Sequence, residues 1–234
     1  MHAYLPQLAF LMHKTPMELF KVGGPVMWPM LLLSLVSMTV VFERIIFAIR
    51  EQRSRSAREM REFMNLVHKK NLDDAIRFGS ESGDFVPRIL ADALEHKEGS
   101  MADAFMRSSS QELARYQQGL PVLDTAITAA PLLGLLGTVT GMMNSFGQIS
   151  GELGAPTAIT GGIAEALVAT ACGLFVAVCS LIPYAYFNSM LEKARREVEE
   201  AGNTLELTLW EIGMGASVTG GVPPGAPVVA ALAH

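Results

Sequence analysis

The chain has 234 residues, of which 50% are hydrophobic and 18% charged, and its mean hydropathy is +0.31. That balance is too apolar for a soluble domain of ordinary composition and points to a membrane protein. A formal net charge of −5 leaves no global basic field, which argues against nucleic-acid binding.

In chain order, residues 1–24 lack a charged region followed by an apolar stretch and a cleavage site, so no cleavable signal peptide is expected. Within them PMELFKV, Pro16–Val22, is an expected short interfacial helix. Residues 25–49 hold the first expected membrane helix: the run Pro25–Phe42, PVMWPMLLLSLVSMTVVF, is uncharged, and Glu43 and Arg44 after it read as an interfacial anchor. Residues 50–121 read as a helical domain. Ala57, Met60, Met64 and Val67, then Leu72, Ala75 and Ile76, recur at helical spacing. Ser100 with Asp103 resembles a capping box ahead of a stripe of Met101, Phe105, Leu113, Tyr116 and Leu120. The stripe continues into the next span with Pro121 as its expected interruption.

Residues 122–146 form the second expected membrane helix, with Asp124 near its start, and residues 159–187 the third, with Glu165 inside it. A short Gly- and Pro-containing link, 147–158, joins them. Residues 188–212 extend the third helix through Leu191, Ala194, Val198, Ala201, Leu205 and Ile212. Residues 213–234, rich in Gly, Pro and Ala, read as a disordered tail. The expected fold is therefore all-α, with three transmembrane helices of which the second and third extend into a helical domain. Arg44, Arg50, Arg53, Arg55, Arg58 and Arg61 follow the first span and Lys193, Arg195 and Arg196 the third, while the link carries neither Lys nor Arg. Positive charge is retained on the cytoplasmic side, so the N-terminus is expected outside and the helical domain and C-terminus inside.

The informative positions lie within the spans. Gly134, Thr138, Gly141 and Ser145 recur at helical spacing in the second, and Ala166, Thr170, Gly173, Ala177 and Ser180 in the third. Two readings fit such faces. Small residues allow close helix packing; alternatively, the Thr138 and Thr170 hydroxyls line a narrow polar path. Glu165 is costly inside a span unless it meets protein or water, which makes it a candidate functional group or an outer-interface residue with an assembly role. Glu165 and Thr170 are separated by about 140° around the helix, so one narrow path does not readily take both. The spans contain no His or Lys, so a proton carrier is expected from another chain.

Cys172 and Cys179 both lie in an apolar run and read as small buried hydrophobes. An enzyme would need a nucleophile, dyad or metal cluster. The sequence has no HExxH and no GxSxG, and its histidines are dispersed at positions 2, 13, 68, 96 and 234. No catalytic residue, metal site or cofactor is expected, and a passive membrane scaffold remains an alternative.

At these residues the sequence resembles the MotA/TolQ/ExbB proton channel family, and most its ExbB and TolQ branch. GGPVMWPMLLLS with Glu43 and Arg44 is similar to the family's first helix, APLLGLLGTVTGMMNSF, Ala130–Phe146, to its second-helix motif, and GIAEALVATACGL, Gly162–Leu174, to its third. Thr140 stands where the branch usually has Trp, and Thr160-Gly161 where it usually has Ala-Pro. The resemblance implies a pentamer in the bacterial inner membrane around a dimer of a single-span ExbD/TolR-like partner whose Asp carries the proton. It also implies a TonB-like or TolA-like envelope protein as the outward link. By the same resemblance Thr138 and Thr170 line the path, Glu165 lies near it or near subunit contacts, and Pro131 shapes the second helix, with Gly134, Gly141, Ser145, Ala166, Gly173 and Ala177 as packing positions.

Overall fold

The computed structural model describes residues 20, 23–96, 100–147, 156–214, 218 and 219. Among them are seven α-helices and no strand: α1 Met27–Ser54, α2 Ala57–His68, α3 Leu72–Glu81, α4 Phe85–Glu95, α5 Met101–Gln117, α6 Leu120–Gly147 and α7 Pro156–Glu211. α1, α6 and α7 are each long and apolar enough to cross a membrane. The expected Pro16–Val22 helix, apart from Phe20, most of the 147–158 link and the tail beyond Thr219 lie outside the described residues.

Two compact units divide the chain, one of Met1–Arg44 with Gly119–Tyr186, the other of Ile45–Gln118 with Phe187–His234. In the first, the buried side of α6 starts with Leu120 and Leu123 and from there on is small: Ala126, Ala130, Gly134, Gly137, Gly141 and Ser145. Leu132, Leu135, Leu136, Met143 and Phe146 are exposed. This inversion of the soluble pattern suits a helix surrounded by lipid or other subunits. Arg44, 2% exposed, ion-pairs with Glu43 at 2.8 Å and packs beside Gly119.

The stripe that the sequence carries from α5 into α6 breaks at Gly119 rather than at Pro121. Gly119 has φ +79, and a Cβ there would stand 2.8 Å from Val40 Cγ1, so both conformation and close approach to α1 require glycine. Pro121 falls in the first turn of α6, where no helical N–H is lost. α7 begins at Pro156, three residues before the expected start, for the same reason.

The second unit packs in the ordinary way. α3 lies on α4 and α4 on α5, around Phe63, Phe85, Ile89, Leu90 and Leu94, each no more than 1% exposed. α2 and α5 start at side-chain caps, Ser56 Oγ accepting from Glu59 N and Ser100 Oγ from Asp103 N. Asp84 caps α4 by accepting from Val86 N, and its other oxygen accepts from Ser56 N, so one carboxylate fixes two helix starts. At its C-terminus α7 stops in a Schellman turn: Gly213, φ +80, donates to Trp210 O, and Met214 N donates to Leu209 O.

Candidate functional site within the membrane helices

Because the buried residues of α6 from Ala126 on carry almost no side chain, its backbone meets α7 directly. A Cβ on Gly134 would lie 3.0 Å from Thr170 Cα, and one on Gly141 3.1 Å from Gly162 O. From the α7 side, a Cβ on Gly173 would lie 2.5 Å from Ala130 O. Gly137 packs on Ala169 and Gly162 on Ser145. The matching buried residues of α7 are Ala166, Ala169, Gly173, Ala177 and Ser180. Such spacing lets dispersion and carbonyl contacts replace the hydrophobic effect, which does little between helices in lipid.

The seam passes through Gly137 and Ala169, one residue before each threonine. Thr138 and Thr170 are therefore half-buried at its edge, not on its floor. The Thr138 hydroxyl donates to Leu135 O at 2.6 Å, within its own helix. That of Thr170 points across the seam, 3.1 Å from Gly134 O, and also lies 3.2 Å from Ala166 O. Because Gly134 and Thr138 are one helical turn apart, the structure brings both hydroxyls to the same stretch of α6. Pro131 lies inside α6 and removes one helical N–H three residues before Gly134.

Glu165 stands apart from the threonines. It is half-buried, with its carboxylate against the backbone of Gly24, whose φ of +73 also demands glycine. Asp124, on α6, is exposed. No group of three or more potential metal ligands occurs among the described residues.

Two polar contacts escaped the sequence. Ser37 Oγ and Ser180 Oγ, both buried, hydrogen-bond at 2.7 Å and tie α1 to α7. In the second unit, the buried Tyr116 hydroxyl donates to Glu51 Oε1 at 2.8 Å and accepts from Arg55 Nη2, while Arg55 also pairs with Glu197 and lies over the Phe85 ring. Burial pushes the Tyr116 phenol well above its usual range; the Arg55 hydrogen bond lowers it in part and the bond to Glu51 adds to the rise. Ser180 and Tyr116 fall in periodic stripes, but a stripe does not name the partner of a hydroxyl, so only the assembled fold reveals Ser37, Glu51 and Arg55 beside them.

Residues 81–200 match the family described as the MotA/TolQ/ExbB proton channel family. An ExbB-like biopolymer transport protein of Synechocystis sp. is 32% identical over 204 residues, covering 82% of this chain and 78% of its own. The chain belongs to the MotA/TolQ/ExbB proton channel family. Within it, the biopolymer transport protein ExbB of Neisseria meningitidis is 27% identical over 215 residues, 81% of this chain and 94% of its own. The Tol-Pal system protein TolQ of Pseudomonas aeruginosa is 40% identical over 93 residues, 39% and 40% of the two chains. The segment that matches the MotA/TolQ/ExbB family takes in all of α6 and α7 as far as Glu200, so both sides of the seam lie in it.

Proposed function

We propose that this protein is the ring-forming subunit of a proton-motive-force-driven motor of the bacterial inner membrane, conducting protons together with an ExbD/TolR-like single-span partner. Its N-terminus is periplasmic and its C-terminus cytoplasmic. Five copies close around a partner dimer, and the motion energises an envelope process through a TonB-like or TolA-like protein, as in TonB-dependent import or Tol-type envelope maintenance. The observation that carries this reading is the pair of threonine hydroxyls at one level of an otherwise small, carbonyl-rich seam. α6 holds no ionisable residue beyond Asp124, so the partner brings the proton-carrying carboxylate and Thr138 and Thr170 supply hydroxyls beside its path. Glu165 serves the outer end of that path or the subunit contacts.

The passive-scaffold reading has its own support, because both hydroxyls already donate to main-chain carbonyls. Substitution separates the two. Thr138→Val and Thr170→Val retain shape and lose the hydroxyl; assembly changes by only about 0.6 kcal/mol per lost hydrogen bond in a bundle. Gradient-driven work of the client falls in both Val variants, while the Ser variants keep more of it and partner pull-down is unchanged. A scaffold gives the reverse order, because Val conserves volume and Ser leaves a methyl-sized void. Full activity of both Val variants removes the threonines from the mechanism.

A further inference from the structure

Main-chain amides of Val218 and Thr219 converge on the buried carboxylate of Glu206. Glu206, 4% exposed, accepts at Oε2 from Val218 N at 3.1 Å, Thr219 N at 3.0 Å and the Thr219 hydroxyl at 2.8 Å. Consecutive N–H groups converging on one anionic oxygen form a backbone anion nest, and bonds to an ionised acceptor are roughly twice as strong as neutral ones. Val218 is fully buried. One turn before Glu206, Gly202 leaves α7 bare. A Cβ there would stand 2.7 Å from Phe105 Cζ and 3.2 Å from Thr219 Cγ2, so the missing side chain admits both the α5 ring and the incoming threonine. α7 ends in the Schellman turn at Gly213, five residues before Val218.

We infer that Glu206, Gly202 and Phe105 form a docking site for Val218 and Thr219 of the same chain, holding Val218 by burial and Thr219 by the Glu206 carboxylate. The receptor consists of helix residues, and the guest is an apolar residue followed by a hydroxyl residue. The Glu206 oxygen is the common point of all three polar contacts, so removing it releases the segment while α7 remains helical. This clip is independent of proton conduction and of the threonine seam.

Hydrogen exchange on the full chain in detergent tests it, read at amides 218 and 219 with amides 205–209 of α7 as the control. In the unaltered chain the two tail amides exchange at least about tenfold slower than in an unstructured peptide. Glu206→Met, which keeps length and helix propensity but has no acceptor oxygen, abolishes that protection, and Glu206→Gln retains part of it. Tail amides that exchange freely in the unaltered chain overturn the inference, as does protection that survives Glu206→Met. Should Glu206→Met also loosen amides 205–209, Val218→Asp decides, because it leaves α7 intact: lost protection at 219 supports the clip, and retained protection overturns it.

Discussion

From Ala126 onward the buried positions of α6 belong to Ala126, Ala130, Gly134, Gly137, Gly141 and Ser145, whereas in α2 and α4 Phe63, Val67, Phe85, Ile89, Leu90 and Leu94 are buried. Past the buried Leu120 and Leu123 of its first turn, α6 turns Leu132, Leu135, Leu136, Met143 and Phe146 outside; the large apolar residues of α4 are inside. The surroundings explain the contrast. Water rewards burial of Phe and Leu at roughly 25 cal/mol per Å² of apolar surface, whereas lipid gives no such reward and leaves close contact as the main attraction. The same chain thus follows two packing rules, and residues 44 and 45, 118 and 119, and 186 and 187 mark where one gives way to the other.

The largest expected effect comes from emptying the second unit. Phe63, fully buried and touching the Gly79 site, becomes a cavity in Phe63→Ala, with a loss of about 3–5 kcal/mol. Amide exchange in α4 should accelerate accordingly; an unchanged rate would show that this core does not rest on large-side-chain burial. Filling the first unit is the converse test. Gly173→Leu sets a branched side chain against Ala130 O, a backbone atom that cannot rotate away, and should cost about 1–3 kcal/mol of α6–α7 association. Native mass measurement and exchange across α6 report it. If Gly173→Leu assembles and exchanges as before, the close-contact rule fails for this seam.

The smallest expected effect concerns Tyr116. Tyr116→Phe removes the hydroxyl shared by Glu51 and Arg55 and should cost about 1–2 kcal/mol at neutral pH, measured by denaturant unfolding. Because folding raises this phenol, the stability it supplies is complete below the unfolded value near pH 10 and is lost as pH rises toward the higher folded value. The unaltered protein should therefore lose more stability than Tyr116→Phe between about pH 9 and 11. Equal alkaline losses would place the tyrosine outside the core of the second unit.

The contrast also explains what could be read in advance. The three spans were legible because hydropathy alone identifies them, and the first helices of the second unit because Met60, Met64 and Val67, then Leu72 and Ala75, recur at helical spacing. The seam was legible as a class of residue but not in register. Gly137 and Thr138, like Ala169 and Thr170, are adjacent and both small, so spacing cannot tell which one faces the neighbouring helix; the direct contact of Gly137 with Ala169 decides. The Gly- and Pro-rich composition after residue 213 gave no hint that Val218 and Thr219 meet Glu206, since that contact depends on a turn and on residues of α5 and α7. Likewise the Ser37–Ser180 bond joins positions 143 residues apart, beyond the reach of any local pattern.

The small-residue seam has a calorimetric consequence. Heat-capacity change on unfolding arises from apolar surface entering water, at about 12–15 cal/mol/K per residue in soluble domains. Gly134, Gly141, Ala166 and Gly173 have little apolar surface to expose, and separated helices in a bilayer would meet acyl chains instead of water. The curvature of the stability profile with temperature should therefore come from the second unit alone, so that cold weakens the Phe63 and Phe85 core while leaving the α6–α7 contact almost unchanged.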